Sequence, residues 1–331
     1  MDEIVISQYS ILLMRIQDEK LTAEAAYWGH MEEWTEQIPE TPLWVDMRKA
    51  DYMPYPRCYL PTMASSYDPF TYKRLFGKVY ENIFAFLENA GEHVFEIGCG
   101  SGFLSLEMAR MGKNVFAFDL SEQRIRLAKR YYESLLKTEA IPGSINYFVG
   151  NATNIMLMGN QFDAVLCHGS LHHLAELEKV LNNIYRSLKP GGLFIIFEHR
   201  GLDARIEGWF LKMDKYIRYI LSRKQAWNHT ERILRRDKKL IKHPALEESR
   251  SPMEGVSSHD IEMALGNCQM KCIIKNLYSP FAFHFIERYA TVFDWRIPFK
   301  VPALLLLNSI DCFLEKAGFK GELIFWAGEK R

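Results

Sequence analysis

The stretch Val94 to Arg110, VFEIGCGSGFLSLEMAR, opens as an apolar strand-like run and carries an acid at Glu96. It then breaks into glycines at 98, 100 and 102 and resumes with helical spacing at Phe103. A strand, a glycine turn and a helix in that order expose backbone amides at a helix N-terminus. Such amides attract an anionic group, and the missing Cβ atoms let a ligand approach the chain closely. The G-x-G-x-G spacing differs from the dinucleotide fingerprint, whose third glycine or alanine stands one position later. The absence of Gly-Lys-Ser/Thr excludes a phosphate-binding loop.

Working outward, apolar strand runs alternate with helical ones: HVFEI, a helix over 102–111, NVFAFD, a helix over 121–137, INYFVG, a loop, FDAVLC, a helix over 175–188, and GLFIIFE. This alternation predicts an α/β fold, a doubly wound and mostly parallel sheet with helices on both faces. The apolar succession Leu193 to Phe197 predicts a strand covered on both sides. KCIIKNLY and ELIFWAGEK, flanking an apolar helix around 303–317, bring the sheet to seven strands, and a short helix is expected over 258–266.

The chain divides accordingly into an N-terminal helical and aromatic cap over 1–71, a core over 72–199, a helical insertion over 200–257 and a C-terminal completion of the sheet over 258–331. In the cap, Ile11, Leu12, Met14, Ile16, Tyr27, Trp28, Met31 and Trp34 recur near helical spacing and predict one or two amphipathic helices before about residue 38. Prolines between 39 and 61 interrupt every period, and the aromatic content there predicts an ordered strap.

Composition narrows the function classes. Lysine plus arginine equals aspartate plus glutamate, 41 against 41 in 331 residues, so no global field draws the chain toward nucleic acid or an acidic membrane. The acidic start MDEIVISQYS reads as no export signal, and the apolar run Val301 to Leu307 is far shorter than the roughly 20 residues that span a bilayer. Six scattered cysteines suit reduced thiols and a cytoplasmic protein. Cys268 and Cys272 lack a second ligand pair at metal spacing, so no metal is expected.

The second strand run, NVFAFD, ends on Asp119, 21 residues past Gly98, where a carboxylate can accept from both hydroxyls of a ribose. With the landmarks FEIGCGSG, AFDLSE, VGNATN, FDAVLCHGSLHHL and LKPGGLFIIFE in order, the sequence resembles the class I S-adenosylmethionine-dependent methyltransferases. The resemblance covers about residues 92–199 and, more weakly, 258–331. It implies a Rossmann-like methyltransferase fold, S-adenosyl-L-methionine as cofactor and S-adenosyl-L-homocysteine as product.

Position by position, the resemblance assigns Glu96 and the turn of Gly98, Cys99, Gly100 and Gly102 to the methionine end of the cofactor, and Asp119 to the ribose. Leu120, Asn151 and Ala152 fall to the adenine, Tyr67 lies over the cofactor, and the backbone of His168 lies against it. Asn151 departs from the family's aspartate, but its amide oxygen remains an acceptor for the adenine amino group. The plain alternative for the glycines and Asp119 is a tight strand-to-helix connection with a helix cap.

Methyl transfer is an in-line displacement in which alignment dominates, and a base matters when the acceptor is a hydroxyl. His168 and His172, with His173 beside them, follow the fourth strand of the core. His199 ends the fifth beside Glu198, and the alternative for that pair is a solvated strand terminus. The expected acceptor is a small molecule or a glycan, methylated at oxygen. Nucleic acid is disfavoured, because no Asn-Pro-Pro-Tyr type of tetrapeptide is present.

In the insertion, Trp209, Phe210, Met213, Tyr216, Ile217, Ile220 and Leu221 form an apolar stripe beside Lys212, Lys215, Arg218, Arg223 and Lys224. That pattern fits a lid, a partner-binding helix, peripheral membrane contact through 209–224, or a packed helix with a solvated basic face. The rival readings are a non-catalytic S-adenosylmethionine-binding protein, a methyltransferase acting on a lipid-linked substrate at a membrane surface, and a nicotinamide oxidoreductase. The glycine spacing and LKPGG argue against the last.

Overall fold

The computed structural model describes residues 11–12, 19–36, 69–157, 159–174, 176–223, 258–289 and 300–331. A two-residue strand, β1 (Ile11–Leu12), and helix α1 (Glu19–Glu36) precede α2 (Pro69–Asn89). The core then runs β2 (His93–Ile97), α3 (Phe103–Arg110), β3 (Asn114–Asp119), α4 (Glu122–Leu136), β4 (Ser144–Val149), β5 (Met156–Leu157) and β6 (Phe162–His168). A short 3-10 turn at Leu171–His173 leads to α5 (Leu177–Ser187), β7 (Leu188–His199) and α6 (Ala204–Arg223). The chain closes with α7 (Ser258–Asn267), β8 (Lys271–Tyr278), α8 (Ala282–Tyr289), α9 (Lys300–Lys316) and β9 (Leu323–Glu329).

Seven strands make one sheet in the order β4-β3-β2-β6-β7-β9-β8. The first five are parallel, and β9 lies antiparallel between β7 and β8. This is the doubly wound, mostly parallel sheet expected from the alternation of strands and helices. Chain direction across the sheet reverses between β2 and β6, whose ends meet at Ile97 and Cys167. A crevice at such a reversal, outside the C-terminal strand ends, is where open α/β sheets bind ligands.

Strand alternation sorts the core into two layers. Val94 of β2 joins Val79, Tyr80 and Ile83 of α2 and Leu104 and Met108 of α3 on one face, while Phe95 and Ile97 join Val180, Leu181 and Ile184 of α5 on the other. Leu177, Val180, Leu181 and Ile184 are spaced as one helical stripe, which is why α5 forms and which side it buries. Helix α4 starts at Ser121, whose hydroxyl accepts from Arg124 N at 3.4 Å as an N-cap. Among the described residues no helix is long and apolar enough to cross a membrane.

The structure differs from the sequence reading in three places. Ile11 and Leu12 are not helical, because they pair antiparallel with Leu157 and Met156 of β5 in the segment read as a loop. Helix α8 was not anticipated. Its start is fixed from a distance, where the buried carboxylate of Asp311 on α9 accepts from Phe281 N at 2.8 Å and Ala282 N at 2.9 Å. In α6 the buried stripe runs through Ile206 and Phe210, which pack on Leu314, while Trp209 and Tyr216 are exposed. The basic run after Arg223, the strap over 39–61 and Tyr67 lie outside the described residues.

Candidate active site

At the C-terminal edge of the sheet, Gly98, Gly100 and Gly102 have φ angles of +68°, +55° and +82°, the left-handed region that glycine alone enters at no steric cost. A Cβ on Gly98 would also stand 2.5 Å from the Ser170 Cβ, so the turn is pressed against the loop that follows β6. At Gly100 the nearest atom to such a Cβ is 3.5 Å away, so crowding does not select glycine there. Asp119 holds this turn: its carboxylate accepts from Gly100 N at 2.9 Å and from Ser121 N at 2.9 Å. Each carboxylate oxygen keeps a second acceptor site for a ligand.

Glu96 is buried below the turn and bonded to the Ser105 hydroxyl of α3. Burial raises its carboxyl from 4.5 to about 8, with the Ser105 hydroxyl opposing the shift and the Asp119 charge adding to it.

The opposite wall follows β6. Ser170 Oγ donates to Ile97 O at 2.8 Å, locking this loop to the end of β2. The fully buried carboxylate of Glu198, on β7, accepts from Ser170 N at 2.7 Å, from Leu171 N at 2.5 Å and from His172 Nδ1 at 2.7 Å. Glu198 is therefore an organising centre and not a solvated strand end. A carboxylate only accepts, so Nδ1 of His172 carries the hydrogen and Nε2 is the basic nitrogen.

His173 Nδ1 lies 3.2 Å from Glu24 Oε1 on α1, an oxygen that also accepts from Trp28 Nε1 at 2.6 Å. The Arg124 guanidinium lies 4.4 Å above the Trp28 ring. Helix α1 thus touches both walls of the crevice.

His168 is enclosed by rings. It stacks on Tyr80 with 5.7 Å between centroids, meets Phe103 and Phe197, and its Nε2 is 3.2 Å from the Tyr80 hydroxyl. Burial lowers its pKa from 6.5 to about 4, with Glu198 opposing the shift and His199 adding to it. It is neutral near pH 7 and a weak base. His199 is likewise pushed down by burial, and its ring faces Phe197 and Phe283.

Asn151 is buried, and its Oδ1 accepts from Thr153 N at 3.0 Å and from Thr153 Oγ1 at 2.9 Å. The oxygen assigned to adenine is engaged inside the chain, and Nδ2 is left without a partner among the described residues. What Asn151 offers is a donor. Ala152 is buried against the second core layer and Leu120 is half-buried.

Glu96 and His168 have consequences for stability. Folded Glu96 keeps a proton that the unfolded chain releases, so its contribution to stability falls as pH rises from 4.5 to about 8. Folded His168 refuses a proton that the unfolded chain binds, so its contribution falls as pH drops from 6.5 to about 4. The total changes are on the order of 5 and 3 kcal/mol respectively. The two slopes cancel between pH 4.5 and 6.5, and stability from this pair declines on either side of that plateau. Thermal melts from pH 4 to pH 9 check this: Glu96→Gln should abolish the alkaline decline and keep the acid one, and an unchanged alkaline decline would remove Glu96 as its cause.

A cavity of about 490 Å³ lies at the other edge of the sheet, lined in part by Asn89, Asp163, Lys189 and Gly191. Its charged groups are used internally: Lys189 Nζ donates to Asp163 at 2.7 Å, and Asp163 accepts from His93 N at 2.9 Å. This ties the LKPGG segment at the start of β7 to the start of β2.

Residues 95–196 match the family model described as a methyltransferase domain. The demethylmenaquinone methyltransferase of Leptospira interrogans is 34% identical over 106 residues, which is 31% of this chain and 41% of that one. The ubiquinone biosynthesis O-methyltransferase of Xanthomonas oryzae is 34% identical over 107 residues, 32% of this chain and 42% of that one. The chain therefore spans less than half the length of these curated relatives.

Among solved structures, geranyl diphosphate C-methyltransferase of Streptomyces coelicolor, in complex with Mg2+, geranyl diphosphate and S-adenosyl-L-homocysteine, superposes with a TM-score of 0.53. It is 14% identical and covers 95% of this chain and 99% of that one, a likeness of fold.

Proposed function

We propose that the chain, whose residues 95–196 are a methyltransferase domain, uses S-adenosyl-L-methionine to methylate a hydroxyl oxygen of a small-molecule acceptor, releasing S-adenosyl-L-homocysteine. The residues fit that cofactor. The Gly98–Gly102 turn offers backbone amides to its carboxylate, Asp119 keeps acceptor sites for a ribose, and the orphaned Nδ2 of Asn151 is a buried donor suited to a ring nitrogen. When bound, S-adenosyl-L-methionine supplies an electrophilic methyl carbon on a sulfonium.

The chain's own part is alignment and proton removal. The turn and the loop after β6, locked together through Ser170 and Ile97, fix the two walls between which cofactor and acceptor are aligned. The observation that carries the choice of oxygen is the His172–Glu198 pair. Glu198 holds His172 in the tautomer whose Nε2 takes a hydroxyl proton, and it stabilises the imidazolium that results. The Xanthomonas relative is named as an O-methyltransferase, which supports the same choice. His168, a weak base in an aromatic clamp, shapes the wall.

The cap over 1–71 and the insertion over 200–257 select the acceptor, and Glu24 of α1 beside His173 belongs to that selection. Incubating the protein with S-adenosyl-L-methionine and a panel of hydroxylated aromatic, quinol and sugar acceptors tests the reading by mass spectrometry. A methyl ether appearing together with S-adenosyl-L-homocysteine is expected. Cofactor binding with no turnover on any acceptor would favour a non-catalytic binding protein.

A further inference from the structure

Two helices show an outer face unlike the rest of the described surface. On α6 the exposed residues include Trp209, Leu211, Lys212, Lys215 and Tyr216, with Leu211 68% and Tyr216 65% exposed. On α9 Val301, Leu305, Leu306 and Phe313 are exposed, Phe313 at 71%, followed by Lys316. Of the exposed acids described on the two helices, Glu315 lies one turn from the buried Asp311, and Glu207 lies one turn before Leu211 at the edge of the outer face. The helices are fastened to each other: Ile206 and Phe210 pack on Leu314, Arg205 Nη2 donates to Gly318 O at 3.0 Å, and the Arg205 guanidinium lies 4.0 Å above Phe319.

Topology places this pair at the crevice edge. Helix α6 leaves β7 just after His199, and α9 leads into β9 at Leu323, which pairs with His199. Single exposed apolar residues need no explanation, but two adjoining helices with several each do. The composition distinguishes among occupants. Lysine is depleted at the centre of protein–protein interfaces, whereas a helix lying on a bilayer combines lysines with tryptophan, tyrosine and leucine, the aromatic rings seated at headgroup level.

We propose that the outer faces of α6 and α9 dock on an anionic lipid bilayer. The total charge of zero leaves the lysines of this face as the local attraction to the headgroups, while the apolar residues enter the headgroup and acyl boundary. The crevice then opens next to the lipid. Its acceptor is a hydroxylated molecule that partitions into membranes, a clause that rests on the proposed methyl transfer, whereas lipid docking itself does not.

Flotation of the full chain with vesicles tests the docking, comparing phosphatidylcholine alone with a mixture containing about one third phosphatidylglycerol at low salt. The protein should float with the anionic vesicles and much less with the neutral ones. Lys212→Glu with Lys215→Glu should weaken binding by roughly a hundredfold, and Leu306→Ser with Phe313→Ser by about tenfold or more. These side chains are exposed, so melting temperature and S-adenosyl-L-homocysteine affinity should stay near those of the unaltered protein, which separates failure of docking from failure of the cofactor site. Absence of flotation, flotation unaffected by both pairs, or a dimer in light scattering that Leu306→Ser with Phe313→Ser dissociates would overturn the proposal; the last outcome would assign the face to a second copy.

Discussion

Replacing Glu198 by glutamine should lower kcat by about a thousandfold or more while leaving cofactor affinity near that of the unaltered protein. The glutamine oxygen can still accept from Ser170 N and Leu171 N, the two amides that Glu198 holds at 2.7 and 2.5 Å, so the loop keeps its shape. Its amino group, however, faces His172 Nδ1, which receives a carboxylate oxygen in the unaltered chain. An amide donor at that place forces Nδ1 to accept and puts the hydrogen on Nε2, the nitrogen that must take the acceptor's proton.

Glu198→Ala acts differently, because it leaves both buried amides unpaired at about 1–3 kcal/mol each and so reduces stability as well. Comparing kcat, KM and melting temperature of the two variants separates orientation of His172 from support of the loop. If Glu198→Gln retained activity within tenfold of the unaltered protein, His172 would not be the base and the acceptor would arrive already ionised.

Gly98→Ala should cost about 3 kcal/mol or more in stability and weaken cofactor binding in the fraction that folds. Two causes add. At φ +68° a Cβ costs about 1–2 kcal/mol through its own backbone, whatever surrounds it. In addition that Cβ would meet Ser170 Cβ at 2.5 Å and Ser170 Oγ at 2.7 Å, contacts that require one wall of the crevice to move. Ser170 bonds Ile97 O and presents its amide to Glu198, so the displacement reaches the support of His172.

Chemical denaturation of Gly98→Ala, Ser170→Gly and the double variant resolves the two causes. The double variant should recover the steric part and retain the backbone part, giving a coupling of at least about 1 kcal/mol. Additive losses would show that the turn and the loop after β6 do not press on each other.

The legible features are those whose signal is local. The strand, glycine turn and helix around Gly98, and Asp119 at the end of the next strand, sit in runs whose periodicity and turn residues carry their own assignment. Glu198 was not legible as a buried support. Its burial is created by β6 and β9 on either side of β7 and by the turn at Leu171, all remote in sequence. Glu24 was invisible for the same reason, since its partner His173 belongs to the turn after β6.

Asn151 lies between these cases. Its place after β4 was readable, but the direction of its amide depends on Thr153, and the Asn-x-Thr sequence, an Asx-turn signal, pointed to it. On α6 the periodicity was right and the stripe was only shifted: Phe210 and Met213 pack as read, Trp209 and Tyr216 are exposed, and Ile206 joins the buried side because α9 approaches there. Periodicity alone does not say which neighbour arrives.

Isothermal titration of the folded protein with S-adenosyl-L-homocysteine, repeated on Asp119→Ala, addresses the shared pocket most directly. The glycine turn and the carboxylate that holds it at 2.9 Å should bind that ligand at one site, with affinity falling by about a hundredfold in the variant as ribose acceptor and turn support are lost together. No heat from the folded, unaltered protein, or equal affinity in the two proteins, would contradict the account.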